Sequence, residues 1–222
     1  MSVPPWLLPL AGAVPSLRPE QLSRFLPPQS GGRPSAVLIL FGQGPDGPDL
    51  LLIERAHTMR SHPGQPAFPG GAQDPQDEGP VAAALREAGE EVGLDPASVD
   101  VLGTLPAVWL PPSGFVVHPV LAWWRAPHAV HAVDPAEVAA VVRVPVAELI
   151  DPANRVQVTH PSGWVGPAFR VRGLLVWGFT AGLLDRLLEL GGLALPWDRS
   201  RVEQLDAATV AASLRTATSP SP

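Results

Sequence analysis

The feature that most constrains this chain is a cluster of three glutamates within five positions, Glu87, Glu90 and Glu91, followed by Gly93. On a helix these residues stand at i, i+3 and i+4, so their side chains project close together from one face. Carboxylates placed that close repel one another, and the arrangement is costly unless a cation lies among them. Oxygen ligands suit a hard ion such as Mg²⁺ or Mn²⁺, which commonly also binds substrate phosphates. The cluster therefore indicates a metal-dependent enzyme that acts on phosphate groups.

The residues around the glutamates predict a helix between Pro80 and Gly93. Proline is tolerated in the first turn of a helix, and glycine suits the left-handed residue at which a helix ends. An apolar stripe at helical spacing runs beside the acidic one and consists of Val81, Ala84, Leu85, Ala88 and Val92. For a glutamate pair taken alone, the alternative is a solvated helix face with no ligand.

The segment resembles the Nudix box, G-x5-E-x7-R-E-U-x-E-E-x-G-U, in which U is apolar. Residues 86–94 fill the whole second half of the box, and Glu78 lies eight residues before Arg86, as the pattern requires. The leading glycine would fall at Ala72, whereas the glycine pair Gly70-Gly71 lies just upstream. The turn before the helix is therefore one residue longer than in the generic box, which leaves the roles of Asp77 and Glu78 open.

A second motif, at residues 51–71, is similar to the signature of coenzyme A pyrophosphatases within the Nudix superfamily, L-L-T-x-R-[SA]-x3-R-x3-G-x3-F-P-G-G. Every fixed position matches except Ile53, where threonine is usual. The longer spacing after the glycine pair is also typical of that subfamily. Further along, residues 176–182 are similar to a W-G-x-T-A-x segment near the end of such domains. The resemblance spans residues 33 to 190.

The resemblance implies a role for each residue of the acidic helix. Glu87, Glu90 and Glu91 would bind Mg²⁺ or Mn²⁺, with the carbonyl of Gly71 as an additional ligand. Arg86 would orient a neighbouring glutamate instead of touching the substrate. The general base stays open, since either Glu90 or Glu91 can activate water while it binds metal.

Outside the box, three further residues are candidates for the site. Glu137 is a more distant candidate for the general base, with a surface position as the alternative. Arg55 and Arg60 match the subfamily signature and would bind the 3′-phosphate or the diphosphate of a coenzyme A-type nucleotide. A structural salt bridge is the competing interpretation for each arginine. His57 and His62 are expected to be ordinary loop histidines.

Periodicity and turn residues predict the remaining elements. Two apolar strands, at 36–42 and 49–55, are separated by the turn residues Pro45-Asp46-Gly47, so a hairpin is expected. Further expected elements are strands near 99–109 and 115–124, a short helix or strand at 136–144, a short helix at 145–150, a buried helix at 174–190 and short helices near 19–25 and 202–214. These mixed elements fit the α/β class, and the resemblance implies a Nudix-like α/β/α sandwich with a mixed sheet.

The expected domain organisation is a Pro-rich N-terminal extension at residues 1–32, a Nudix hydrolase domain at 33–190, and a C-terminal extension at 191–222 that is partly helical and then disordered. The chain has no cysteine, which is compatible with a reducing cytoplasm. Its net charge of −6 argues against nucleic acid as the main partner. The apolar stretch at 6–13 follows no basic residue and is interrupted by Pro9, so we expect neither a secretory signal nor a membrane partner.

Together these observations predict a metal-dependent hydrolase that cleaves the pyrophosphate bond of coenzyme A and its derivatives. The products would be 3′,5′-ADP and 4′-phosphopantetheine or its acylated form. One alternative is a Nudix pyrophosphatase for another nucleoside diphosphate linked to a group X, such as ADP-ribose. A different class is a nucleotide-binding sensor that does not hydrolyse its ligand. The expected partner is a small-molecule nucleotide, and a homodimer is left open.

Overall fold

The computed structural model describes residues 3–59, 62–111 and 113–214. Two sheets account for the described strands. The larger contains β1 (Arg33–Gly44), β2 (Gly47–Arg55), β3 (Pro66–Ala67), β4 (Gly70–Ala72), β5 (Val99–Thr104), β6 (Val108–Leu110), β7 (Phe115–Trp124) and β8 (Val138–Pro145). The smaller contains β9 (Arg155–Thr159), β10 (Val165–Val171), β11 (Leu174–Val176) and β12 (Val202–Gln204). The helices are α1 (Leu8–Ala13), α2 (Pro19–Leu22), α3 (Pro80–Val92), α4 (Val146–Ile150), α5 (Gly178–Leu190) and α6 (Ala207–Leu214).

Strand β1 lies inside the larger sheet, where its apolar run is covered on both faces. It pairs in parallel with β7 and antiparallel with β2 and β4, so the sheet is mixed. The register Phe41 with Leu50 and Gly44 with Gly47 confirms the predicted hairpin between β1 and β2. Short β3 pairs with the end of β2 at the edge of the sheet.

The two faces of the larger sheet are covered by different helices. Because successive side chains of a strand alternate between faces, Leu38 and Leu40 pack with α3, whereas Ile39 and Phe41 pack with the apolar residues of α1 and α5. This arrangement confirms the predicted α/β class with a mixed sheet between helical layers. Within the described residues, none of the helices has the length and apolar character needed to cross a bilayer.

Some predicted element boundaries are wrong. The helix expected from residue 174 begins at Gly178, because residues 174–176 form β11 and pair with β10. The helix expected from residue 202 begins at Ala207, since residues 202–204 pair in parallel with β9 as β12. Between residues 136 and 150, a strand is followed directly by a short helix. Residues 215–222, where disorder was expected, lie outside the described part of the chain.

Candidate active site

Helix α3 forms as the sequence predicts, and Glu91 is buried together with the small residues of the helix. It starts with Pro80 in its first turn and ends at Gly93, which has a left-handed φ of 68°. The alanines at 83, 84 and 88 are fully buried, which lets the helix lie close to β1 and the rest of the sheet. A Cβ on Gly89 would make only an ordinary contact, so the close packing does not depend on that glycine.

Strand β4 brings two glycines against the carboxylates of α3. The amide of Gly70 donates a hydrogen bond of 2.9 Å to Oε2 of Glu91. A Cβ on Gly71 would lie 2.5 Å from Oε1 of Glu87, so a side chain at that position would displace the carboxylate. The glycine pair of the loop motif therefore allows the backbone of β4 to approach both glutamates, with the predicted ligand Gly71 next to Glu87.

Arg86 is held between an aspartate and the glutamates of its own helix. Its Nε and Nη2 donate to the two carboxylate oxygens of Asp77 at 3.1 and 2.9 Å. Its Nη1 donates to Oε1 of Glu87 at 3.1 Å and to Oε2 of Glu90 at 2.9 Å, and Nη2 also reaches the carbonyl of Ala72. With its donors engaged in this way, Arg86 contacts the carboxylates of both Glu87 and Glu90.

Of the two acidic residues just before the helix, one is the partner of Arg86. Asp77 makes the bidentate contact, whereas Glu78 is exposed. The guanidinium of Arg86 lowers the pKa of Asp77, and that carboxylate is the main reason why the pKa of Arg86 is raised. Counting the box from Gly71 instead of Ala72 places Asp77 at the acidic position, and this is the signal in the sequence that identifies it.

Burial sets the charge state of the glutamates that face β4. Glu91 is only 6 % exposed, and desolvation raises its pKa to about 7. The Gly70 amide and the charge of Arg55 lower this value, while the charges of Glu87 and Glu137 raise it. Burial likewise raises the pKa of Glu87, against the opposing effect of Arg86. Both carboxylates are therefore poorly neutralised by the protein, which favours binding of a cation or a proton.

Arg55 and Glu137 lie side by side, because Arg55 of β2 is paired with Val138 of β8, and the charges of both affect the pKa of Glu91. Glu137 immediately precedes β8, and its carbonyl accepts a hydrogen bond of 2.8 Å from the amide of Ala56. The Nε of Arg55 is buried and has no hydrogen-bond partner among the described residues. The structure thus brings together two residues from distant parts of the sequence.

The remaining candidates of the loop motif are one arginine and two histidines, of which the structure describes the histidines. Arg60 lies outside the described residues. His57 is exposed and lies 3.4 Å from Glu54. His62 is partly buried with its ring 3.0 Å from Oε1 of Gln65, and burial lowers its pKa. His57 thus contacts a residue of β2 and His62 a residue just before β3, and their assignment as ordinary loop histidines stays a prediction.

The two predicted subfamily motifs meet in space. Thr180 is 6 % exposed, and its hydroxyl donates a hydrogen bond of 3.1 Å to the carbonyl of Pro66. Thr180 belongs to the W-G-x-T-A segment and Pro66 to the loop motif. The amide of Arg55 donates to the carbonyl of Gln65 at 3.1 Å, so the carbonyl of the next residue, Pro66, points away from β2 toward α5. Thr180 satisfies a carbonyl at this sheet edge, a contact that the sequence did not predict.

The donor set fits a hard divalent cation. Glu87 and Glu90 already converge on one nitrogen of Arg86, and Glu91 is buried with a raised pKa. In the described ranges, no three acidic, histidine or cysteine side chains lie close enough together to form a ready-made metal site. Glu90 is 61 % exposed, so its side chain would have room to turn toward the other carboxylates once its hydrogen bond to Arg86 is released.

Comparison with known proteins identifies the family. The model of the NUDIX domain matches residues 32–161. A Nudix hydrolase of uncharacterized activity, NudL of Cronobacter sakazakii, is 44 % identical over 167 residues, which cover 72 % of this chain and 83 % of the relative. NudL of Citrobacter koseri is 42 % identical over 185 residues, or 77 % and 93 % of the two chains.

The fold comparison agrees with the family match. The crystal structure of the Nudix hydrolase RenU from M. smegmatis aligns with a TM-score of 0.53 and 24 % identity, covering 77 % of this chain and 92 % of RenU. Nudix hydrolases act on small molecules that contain a pyrophosphate bond and generally use divalent metal cations. This chain belongs to the Nudix family and is a pyrophosphohydrolase.

Proposed function

We propose that this enzyme hydrolyses the pyrophosphate bond of coenzyme A and its derivatives, releasing 3′,5′-ADP and 4′-phosphopantetheine or its acylated form. The observation that carries the proposal is the meeting of the two subfamily motifs, at Thr180 and Pro66, beside the end of the strand that carries Arg55. Arg55, from the first motif, acts on Glu91 and has a buried Nε with no partner among the described residues. Thr180, from the second motif, fixes the same loop through Pro66.

The protein groups suit the chemistry of a pyrophosphate. Its anionic oxygens repel an incoming nucleophile, so the site must neutralise negative charge. Glu87, Glu90, Glu91 and the carbonyl of Gly71 would hold Mg²⁺ or Mn²⁺, which supplies charge neutralisation and lowers the pKa of water when bound. Arg55 provides a further positive charge, suited to a bidentate contact with phosphate oxygens.

Glu91 is our first choice for the general base. In the metal-free protein burial raises the pKa of Glu91 to about 7, and a cation bound beside the carboxylate would lower it, so Glu91 would be ionised and able to accept a proton. It would accept a proton from the attacking water as the oxygen forms a bond to phosphorus and the other phosphate leaves. Glu137 is the second candidate, because its charge acts on Glu91. Arg86 would keep Glu87 in place during this step.

The assay is hydrolysis of a panel containing coenzyme A, an acyl-coenzyme A, ADP-ribose and NADH, with product analysis. We expect cleavage of coenzyme A to the stated products only when Mg²⁺ or Mn²⁺ is added. Brisk cleavage of ADP-ribose by metal-loaded protein that leaves coenzyme A intact would instead support the alternative substrate class. The variant Glu137→Gln separates the two candidate bases, since it should keep most activity if Glu91 is the base.

We further propose a cytoplasmic enzyme whose partner is the nucleotide substrate, without nucleic-acid or membrane partners. The support is the net charge of −6 and the absence of cysteine from the sequence. A homodimer stays an open alternative, which sedimentation of the purified protein would test.

A further inference from the structure

The chain between β2 and β3 closes on Arg55 with a β-bulge. The amide of Gly64 donates a hydrogen bond of 3.0 Å to the carbonyl of Arg55, and the amide of Arg55 donates one of 3.1 Å to the carbonyl of Gln65. Two consecutive residues therefore oppose one residue of β2, and the first of them, Gly64, has the left-handed φ of 67° that suits this kind of bulge. Both backbone groups of Arg55 are thus held by the turn at residues 62–65.

His62 begins this turn in an uncommon backbone conformation. Its φ is 52°, and among the described residues other than glycine only His62 and Arg172 have a positive φ. The carbonyl of His62 accepts a hydrogen bond of 3.2 Å from the amide of Gln65, which closes the turn. A residue keeps such a conformation only where the surrounding contacts hold it, and these positions are concentrated at functional sites. The contacts that hold His62 therefore bear on its role.

The side chain of His62 is tied to the same residue that holds Arg55. Nδ1 of its ring lies 3.0 Å from Oε1 of Gln65. Burial lowers the pKa of His62, so the ring is neutral at neutral pH. Because an amide oxygen can only accept, Nδ1 carries the proton of the ring and donates the hydrogen bond. Gln65 is thus held by His62 at its amide and its side chain, while its carbonyl holds the amide of Arg55.

The side chain of Arg55 depends on its backbone for its position. Its Nε is buried and has no hydrogen-bond partner among the described residues, so no bond at that atom fixes the guanidinium. The direction in which the side chain leaves β2 is set by the backbone that the turn at residues 62–65 holds. A group that contacts a reacting phosphate loses much of its effect when it moves by about 1 Å. A loosened turn should therefore weaken catalysis even where the fold is intact.

We propose that His62 is a positioning residue, which acts through Gln65 to hold Arg55 where its guanidinium contacts the diphosphate of the substrate. This inference rests on the proposed function only in the role given to Arg55. It applies to either substrate class, because coenzyme A and ADP-ribose both contain a diphosphate. It replaces the expectation from the sequence that His62 is an ordinary loop histidine.

The first experiment compares two replacements of His62. His62→Asn puts a side-chain amide nitrogen where the ring Nδ1 lies and tolerates the left-handed conformation, so kcat/KM should stay within about two-fold of the wild type. His62→Ala removes the donor, and kcat/KM should fall about three- to ten-fold. Rescue by asparagine would show that the hydrogen bond matters and not the bulk of the ring. Equal losses in both variants, or no loss in either, would overturn the proposal.

A double-mutant cycle tests whether His62 acts through Arg55. It compares the wild type, His62→Ala, Arg55→Ala and the double variant, with any diphosphate substrate that the wild type cleaves. If His62 acts by holding Arg55, kcat/KM of the double variant should lie within about two-fold of that of Arg55→Ala. Losses that multiply, or full activity of Arg55→Ala, would overturn the proposal. Cleavage of ADP-ribose but not of coenzyme A would refute the proposed substrate alone, because the cycle then runs with ADP-ribose.

A glycine pair controls for the backbone conformation. Arg172 has a φ of 51° between β10 and β11, so Arg172→Gly and His62→Gly relieve the same conformation at two places. His62→Gly should lose activity as His62→Ala does and speed amide hydrogen exchange at Arg55, with a melting temperature within a few degrees of the wild type. Arg172→Gly should change neither activity nor exchange at Arg55. Full activity in His62→Gly, or unchanged exchange at Arg55, would overturn the proposal.

Discussion

Replacement of Glu91 by glutamine should make the metal-free protein more stable at alkaline pH. Burial raises the pKa of Glu91 from 4.5 to about 7, so the folded state binds this proton more tightly than the unfolded chain does. Wild-type stability should therefore fall as the pH rises from 4.5 to about 7 and then level off. A pKa difference of this size between the unfolded and folded states corresponds to about 3 kcal/mol of unfolding free energy. Glutamine avoids this loss because it is neutral at every pH and still accepts the Gly70 amide.

The assay is urea unfolding in the presence of a chelator at several pH values. Near pH 5 the two proteins should have similar stability, whereas near pH 8 Glu91→Gln should exceed the wild type by up to about 3 kcal/mol. Glu90→Gln is the matched control, since it makes the same change on the same helix at a side chain that is 61 % exposed. Because that variant retains Glu91, its stability should fall with pH as the wild type's does, and the difference between the two proteins should change little.

Metal and activity complete this prediction. Mg²⁺ or Mn²⁺ at pH 8 should stabilise the wild type more than Glu91→Gln, because only the wild type presents the buried negative charge. The kcat of the variant should fall by at least about a hundred-fold. A stability difference that does not change with pH would refute the reasoning, as would a variant that is less stable than the wild type at pH 8. Near-normal turnover would refute the role of Glu91 in metal binding and catalysis.

Three further substitutions test the neighbouring contacts. If Arg55 binds the diphosphate that coenzyme A and dephospho-coenzyme A share, Arg55→Ala should reduce kcat/KM for both substrates equally, by about ten- to hundred-fold. A loss for coenzyme A alone would indicate that Arg55 binds the 3′-phosphate. Thr180→Val should raise KM several-fold and speed amide hydrogen exchange around residues 64–66. Thr180→Ser should restore both properties. As a control, Thr159→Val removes a hydroxyl-to-carbonyl contact in the smaller sheet and should change neither KM nor exchange. Asp77→Ala should lower activity about ten- to hundred-fold by freeing Arg86, and unchanged activity, or an equal loss in Glu78→Ala, would contradict that role.

Local sequence determines the acidic helix and the spacing of its carboxylates. The limits of α3 follow from Pro80 and Gly93, and the spacing of the three glutamates follows from helical geometry, so neither requires knowledge of the fold. The first hairpin is equally local, because a short turn joins two apolar runs. Element boundaries at 174 and 202 could not be predicted in this way. There, backbone pairing with β10 and β9 overrides an apolar pattern that suits a helix.

Only the tertiary structure decides which distant residues reach the glutamates. Burial within the fold raises the pKa of Glu91, the pairing of β2 with β8 brings Arg55 and Glu137 together, and Thr180 joins α5 to Pro66 of β3. These contacts join distant segments, and Thr180 and Pro66 are more than a hundred positions apart in the chain. Periodicity reports which face of an element is apolar, but it does not report what packs against that face. Burial and charge at the site, and therefore its reactivity, arise from that packing.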